Sequence, residues 1–280
     1  MIHIITSHHR TGEFIIPQVH FIKRSIKQEY KIWAFYDPLD VSELDKFKPH
    51  FYFLENPPPL KDIHKYFKYP KSNKTQPNIP GSLEAHYLKL NFLTDKVLND
   101  SNTKDTDILL YLDGDSFPIA PLDNFIETKL KRYELCGVQR LENGFDIQPH
   151  GCFTLTTVKL FKRFDKYIWD NGYAWSNLHT DSFRTDVGGE LLRKLIEHRI
   201  DWYPLHRTNT VNIHPVCFGI YDDLIYHHGA GFRGVMNAII LRKTSISEEM
   251  LRKTKELEDR LIKLENFYDV LKDIKDTTSL

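Results

Sequence analysis

The stretch YLDGDSFPI, residues 111–119, places Asp113 and Asp115 one glycine apart at the end of an apolar run. In extended backbone, residues i and i+2 point the same way, so both carboxylates can face one ligand. Gly114 between them would let a phosphate or a metal approach the main chain. Two hard oxygen donors suit Mg²⁺ or Mn²⁺, cations that usually complete their shell with substrate phosphates. The competing reading is a polar turn, because Asp-Gly is common where a strand ends. The position of the motif, in mid-chain and directly after a hydrophobic strand, favours the ligand site.

The segments around the motif alternate between strand and helix signals. Ile2 to Thr6 reads as a buried strand, Lys31 to Tyr36 as a second and Phe51 to Leu54 as a third. Pro17 opens a helical stretch in the first turn, where proline is tolerated. Ser82 to Leu98 has the pattern of an amphipathic helix, with Ser82 as cap and His86, Leu90 and Leu93 on one face. Asp107 to Leu112 is the strand that delivers the two aspartates. Residues 135–139, 152–157, 202–205 and 224–228 read as further strands, and 158–170 and 187–198 as helices. This order predicts an α/β fold with a mostly parallel central sheet flanked by helices, which binds ligands at the carboxyl ends of its strands. Residues 56–81, rich in proline, lysine and asparagine, read as a long surface loop of the kind that serves as a lid.

From Ser247 onward glycine and proline are absent, and Met250, Thr254, Leu257, Leu261, Leu264, Tyr268 and Leu271 follow a 4-3-4-3 spacing. That predicts a domain over 1–242 and a C-terminal helix over 243–280. The helix either forms a coiled coil, making a homo-oligomer, or packs back on its own domain.

The 280 residues include 38 basic and 38 acidic side chains, for a net charge of zero, and 41% of them are hydrophobic. A chain of this kind has a sizeable core and lacks the basic excess of a dedicated nucleic-acid binder. Cys136, Cys152 and Cys217 form no CxxC pair, which argues against a structural zinc site or a disulfide framework. The N-terminal apolar run is too short for a signal peptide and no stretch has the length of a membrane span, so the expected location is cytoplasmic.

The stretches AHYLKLNFLTDKVL and DTDILLYLDGDSFPIAPLDNF, residues 85–98 and 105–125, resemble the core of GT-A-fold glycosyltransferases, especially glycogenin-like enzymes. The resemblance extends thinly over residues 1–235 and is most specific over 82–125. It implies a nucleotide-sugar donor, UDP-sugar by default, a divalent metal, usually Mn²⁺, and a carbohydrate or protein-glycan acceptor. Asp113, Gly114 and Asp115 match the family's DxD motif, and Lys89 its basic helix position. Thr6, Ser7, His8 and Arg10 match the strand end that faces the nucleotide, and Asp37 the position that reads a uracil edge. Asp37 also reads as a turn residue before Pro38. In IYHHGAGFRG, His228 to Gly231 is similar to the HxxG segment whose histidine is a third metal ligand, with His227 as the alternative. Neutral imidazole is a suitable borderline ligand for Mn²⁺. Arg233 stands one place out of the family's register and would contact the diphosphate. Asp186, before the helix of 187–198, is the catalytic candidate, acting on the acceptor hydroxyl or the sugar. Its other reading is a helix cap, with Glu190 and then Asp181 in reserve. Valine replaces the family's glutamine after Asp186, which leaves retention and inversion both open. Gly151-Cys152-Phe153 matches the acceptor-side wall loosely. Trp169, Tyr173 and Trp175 either line an acceptor groove or simply pack.

The expected function is thus a metal-dependent glycosyltransferase. Two alternatives stand beside it. One is a phosphatase of the haloacid dehalogenase type, whose own motif is D-x-D-G-T near the chain start. The other is a catalytically inactive carbohydrate-binding module.

Overall fold

The computed structural model describes residues 1–38, 40–59, 62, 83–143, 146–164, 168–169, 175–176, 183–184, 187–209, 217–229 and 248–261. Strand β1 (Ile2–His9) is buried along nearly its whole length and lies inside a seven-stranded sheet. β2 (Tyr30–Asp37) pairs with it in parallel on one side, and beyond that comes β3 (Phe53–Glu55). On the other side β4 (Ile108–Asp113) is also parallel to β1. β5 (Ser116–Pro118) leaves this sheet at once and joins a second, three-stranded one. β6 (Leu135–Gln139) and β7 (Pro149–Thr157) follow, with β7 running antiparallel between β4 and β6. β8 (Trp175–Ser176) and β9 (Phe183–Arg184) make a short separate ribbon. β10 (Trp202–Leu205) closes the large sheet parallel to β6, giving the order β10-β6-β7-β4-β1-β2-β3. β11 (Gly219–Tyr221) and β12 (Ile225–His227) complete the small sheet in the order β11-β12-β5.

The expected mostly parallel sheet is therefore present, with β7 as the antiparallel insertion. β5 has no counterpart in the expected element order. Pro118 makes its sequence read as a loop, but proline is accommodated in an edge strand, and β5 is an edge of the small sheet.

The helices lie on both faces of the large sheet. They are α1 (Ile15–Ser25), α2 (Glu43–Phe47), α3 (Leu83–Asn99), α4 (Asp123–Lys129), α5 (Val158–Arg163) and α6 (Gly189–Glu197). Strand alternation supplies both interfaces. Ile2 and Ile4 with Leu110 and Leu112 pack on the face that holds Ile22 and Phe125. Ile5 with Leu109 and Tyr111 packs on the other face against Leu88, Leu90 and Leu93 of α3 and Leu191 of α6. α5 stops earlier than the expected 158–170, because Phe164 turns to extended backbone and buries its ring. Thr157 caps its start by accepting a hydrogen bond from Leu160 N at 3.2 Å.

α7 (Glu248–Leu261) lies within the expected C-terminal helix. Thr254, a position of the expected seam, is fully buried within the chain. Leu264, Tyr268 and Leu271, the last three positions of the seam, lie outside the described residues. Among those residues, no helix is long and apolar enough to cross a membrane.

Candidate active site

Asp113 ends β4, and Ser116 starts β5, so the two aspartates sit on the corner where the chain passes from one sheet to the other. The corner is fixed from several sides. Gln18, buried on α1, donates from Nε2 to the carbonyls of Asp113 (2.8 Å) and Ser116 (2.7 Å). Ser116 Oγ lies 2.6 Å from the Cys152 carbonyl of β7 and 3.1 Å from the Tyr226 carbonyl of β12.

Gly114 also lets the corner pack closely. A Cβ there would stand 2.8 Å from both the Ser7 carbonyl oxygen and His8 Nδ1. The missing side chain lets the corner press against the end of β1, and the space it leaves is filled by protein.

β12 brings histidines to the carboxylates. Its antiparallel pairing sets His227 opposite Ser116, and the main chain continues with His228 N donating to the Asp115 carbonyl at 3.0 Å. Gly229 N then donates to Asp115 Oδ2 at 3.1 Å. Strand alternation decides which imidazole faces the aspartates. His227 Nε2 lies 3.6 Å from Asp113 Oδ2 and 3.5 Å from Asp115 Oδ1. His228 turns the other way, with Nδ1 3.0 Å from the Tyr226 hydroxyl and its ring against Phe14 and Phe218. Burial holds the pKa of His228 down at about 4, against the pull of Asp115, so the ring is neutral at pH 7. The third position of the cluster thus falls to His227, where His228 was preferred. Single ligand atoms of Asp113, Asp115 and His227 all lie within 4.8 Å of one another.

Two more histidines surround Asp113. His86 of α3 places Nε2 2.9 Å from Oδ1, and His150 of β7 places Nδ1 4.0 Å from Oδ2. Burial alone would raise the Asp113 pKa. The charges of His86, His150 and His227, with the His86 hydrogen bond, outweigh burial and bring it to about 2. His86 was expected on the apolar face of its helix. Its side chain instead keeps 27% exposure and reaches the carboxylate. Gly151 lies beside Asp113, where a Cβ would be in ordinary contact with Oδ1 at 3.5 Å. His150 was not singled out in the sequence, and its place opposite the motif depends on the antiparallel insertion of β7.

Asp37, at the end of β2, accepts from His9 Nδ1 at 2.7 Å, and Lys89 Nζ lies 3.8 Å from the same oxygen. The His9 hydrogen bond, against burial and aided by Lys89, lowers the pKa of Asp37. Burial lowers the pKa of Lys89, and Asp37 partly restores it. Lys89 is thus paired with Asp37, at the end of the neighbouring strand. Thr6 and His8 are fully buried in β1, whereas Arg10 is exposed just after it with φ of 55°. Glu190, the reserve for Asp186, is engaged by Arg193 on its own helix. Trp169 is a core residue, packed against Tyr111 at 4.8 Å and held by Asn91. Asp181, Asp186, Tyr173 and Arg233 lie outside the described residues.

No protein-family model matches the chain, and no curated protein does. Its structure is similar to that of the galactosyltransferase LgtC in complex with donor and acceptor sugar analogs, at TM-score 0.42 and 11% identity, over 75% of each chain. It is also similar to the apo bifunctional glycosyltransferase WbbM, at TM-score 0.46 and 10% identity, over 76% of this chain and 40% of that one. A third likeness is to the apo form of mouse xyloside xylosyltransferase 1, at TM-score 0.40 and 10% identity, over 76% and 87%.

Proposed function

We propose that the chain is a metal-dependent glycosyltransferase that moves a sugar from a nucleotide-sugar donor, with a UDP-sugar favoured, to a hydroxyl acceptor. The observation that carries this reading is the convergence of Asp113, Asp115 and His227, with ligand atoms within 4.8 Å, at the carboxyl end of a parallel strand. Two carboxylates and one imidazole suit a hard or borderline divalent cation such as Mn²⁺ or Mg²⁺. Asp113 Oδ2, Asp115 Oδ1 and His227 Nε2 would hold it. When bound, such a cation neutralises the diphosphate of the donor and the charge that grows on it as the sugar leaves.

The protein's own groups keep that site in shape. Asp113 is ionised at neutral pH because histidines surround it. Gln18 and Ser116 hold the corner, so the two carboxylates need little rearrangement on binding. Asp37 and Lys89, at the carboxyl end of the neighbouring strand, are the groups nearest a nucleoside in this reading. Thr6, Arg10 and Gly114 contribute to that wall. Asp186 is retained as the residue acting on the acceptor hydroxyl or the sugar, and Arg233 as a diphosphate contact. The acceptor is a carbohydrate or a protein-bound glycan.

The test is calorimetric titration of a UDP-sugar with and without Mn²⁺, wild type against Asp115→Ala. Manganese-dependent binding that disappears in the variant supports the reading. Binding unchanged by the substitution sinks it.

A further inference from the structure

On the α3 side of the sheet, where that helix runs beside the β2–β3 edge, lies an open groove of about 460 Å³. The strands supply one side of it. Trp33 and Phe53 are directly paired across β2 and β3, so both rings stand on one face, and Tyr52, just before β3, lays its ring against Trp33 at 4.8 Å. The last turns of α3 supply the other side. Phe92, Lys96 and Asn99 follow one another at helical spacing, and Asp95 shares their face. Tyr52 keeps 54% of its surface exposed. Phe92 and Asn99 follow His86 by six and thirteen residues, ~9 and ~20 Å along the helix. The groove is therefore separate from the aspartate cluster.

The lining selects a chemistry. Aromatic faces carry negative charge and attract positively polarised groups. The chain's own ammonium groups show that pull, with Lys31 Nζ 3.9 Å from the centre of the Tyr52 ring and Lys96 Nζ 4.7 Å from that of Phe53. Formal charges are balanced, since Lys31 lies 3.5 Å from Asp100, and Asp95 and Lys96 carry one charge of each sign. Neither an anion nor a cation meets a net opposite charge there. Hydrogen-bonding groups of both kinds are present instead. Asn99 Nδ2 donates to Asp95 Oδ2 at 2.8 Å. An amide that makes one such bond carries a second N–H and a carbonyl. Rings beside carboxylate, amide and ammonium groups fit a neutral polyol with one apolar face. A pyranose has that form: its C–H bonds meet the rings, and its hydroxyls, which both donate and accept, meet the polar groups. The volume falls within the about 300–1,000 Å³ of small-molecule sites. We propose that this groove is a second carbohydrate site, binding a neutral oligosaccharide away from the aspartate cluster. It goes beyond the transfer reading and does not require the metal.

An array of neutral glycans probed with the full chain in EDTA and without nucleotide, followed by calorimetry with the strongest ligand, tests it. Binding should persist in EDTA and in Asp115→Ala. It should weaken about tenfold in Tyr52→Ala, the upper scale of one aromatic contact, and stay within about threefold of wild type in Tyr52→Phe. Asn99→Ala, also at an exposed position, should weaken it about threefold to tenfold. An array on which no neutral glycan binds in EDTA overturns the proposal, as does binding left within about twofold of wild type by both Tyr52→Ala and Asn99→Ala. Binding lost in EDTA or in Asp115→Ala assigns the sugar to the aspartate cluster and overturns the second site. Absence of Mn²⁺-dependent UDP-sugar binding overturns the transfer reading and leaves this site standing.

Discussion

The two ends of the β1–β4 pair each combine a carboxylate with histidine, and they differ in how the polar atoms are matched. At the amino end Asp107 accepts from Lys104 N at 2.9 Å and faces His3 Nε2 at 3.3 Å and the Met1 amino group at 3.2 Å. His3 Nδ1 in turn accepts from Trp33 Nε1 at 3.2 Å, which fixes the ring's tautomer with the proton on Nε2. Each donor there has its acceptor, and the network is closed. At the carboxyl end three imidazoles crowd one carboxylate, while a second carboxylate shares one of them. Such an arrangement is convergent and leaves capacity for a cation. Histidine next to aspartate is therefore not in itself a sign of chemistry. Closed matching marks a structural network, and convergence on one point marks a candidate site.

The largest expected effect breaks the convergent end. Asp113→Ala should weaken Mn²⁺ binding more than a hundredfold, at least ~3 kcal/mol, since changes to outer groups alone cost about 10–100-fold. Calorimetry checks this, and circular dichroism should show the fold intact.

Acid comes next. Burial holds His8 and His228 at about 4, below the 6.5 of an unfolded chain. Between those values the unfolded state binds more protons, so stability falls as the pH falls from 6.5 to 4, by about 3 kcal/mol for His8 alone. Urea unfolding at a series of pH values measures the slope, and His8→Asn should flatten it. Asp113 acts in a separate window, losing its contribution only as the pH falls from about 4 toward 2.

The closed end should respond in the opposite way to the site. Asp107→Ala leaves His3 and Lys104 N without their acceptor and should cost about 2 kcal/mol of stability with Mn²⁺ affinity unchanged. A shift in metal affinity there would erase the distinction between the ends. The smallest effect is at the same end. Thr157→Ala removes the cap of α5 and should cost about 1 kcal/mol by thermal or chemical unfolding, again without touching the site.

Local patterns carried much of the fold into the sequence. The β-branched run at Ile2, the apolar run before Asp113 and the periodicity around Leu90 are short-range signals, and each became the element they imply. The Asp113–Asp115 pair was legible for the same reason, because both carboxylates lie on one piece of chain. What was not legible came from distant pairing. His150 depends on β7 entering antiparallel, and the choice of His227 over His228 on the register of β12 against β5. The pairing of Lys89 with Asp37 was not legible, because helix periodicity gives a face and not the strand end beneath it. Gly114 carried a turn signal, and no local pattern announces that the end of β1 presses against it.

The pairing of β12 with β5 also sets when the site can come into being. Gly229 and the Asp115 carboxylate it holds are 114 residues apart in sequence. A chain emerging from the ribosome exposes Asp113 and Asp115 long before His227 exists, and closing so long a loop is entropically costly until the small sheet forms. A half-made protein would carry two carboxylates without the imidazole they share. The complete cluster thus serves as a record that synthesis and folding have passed residue 229.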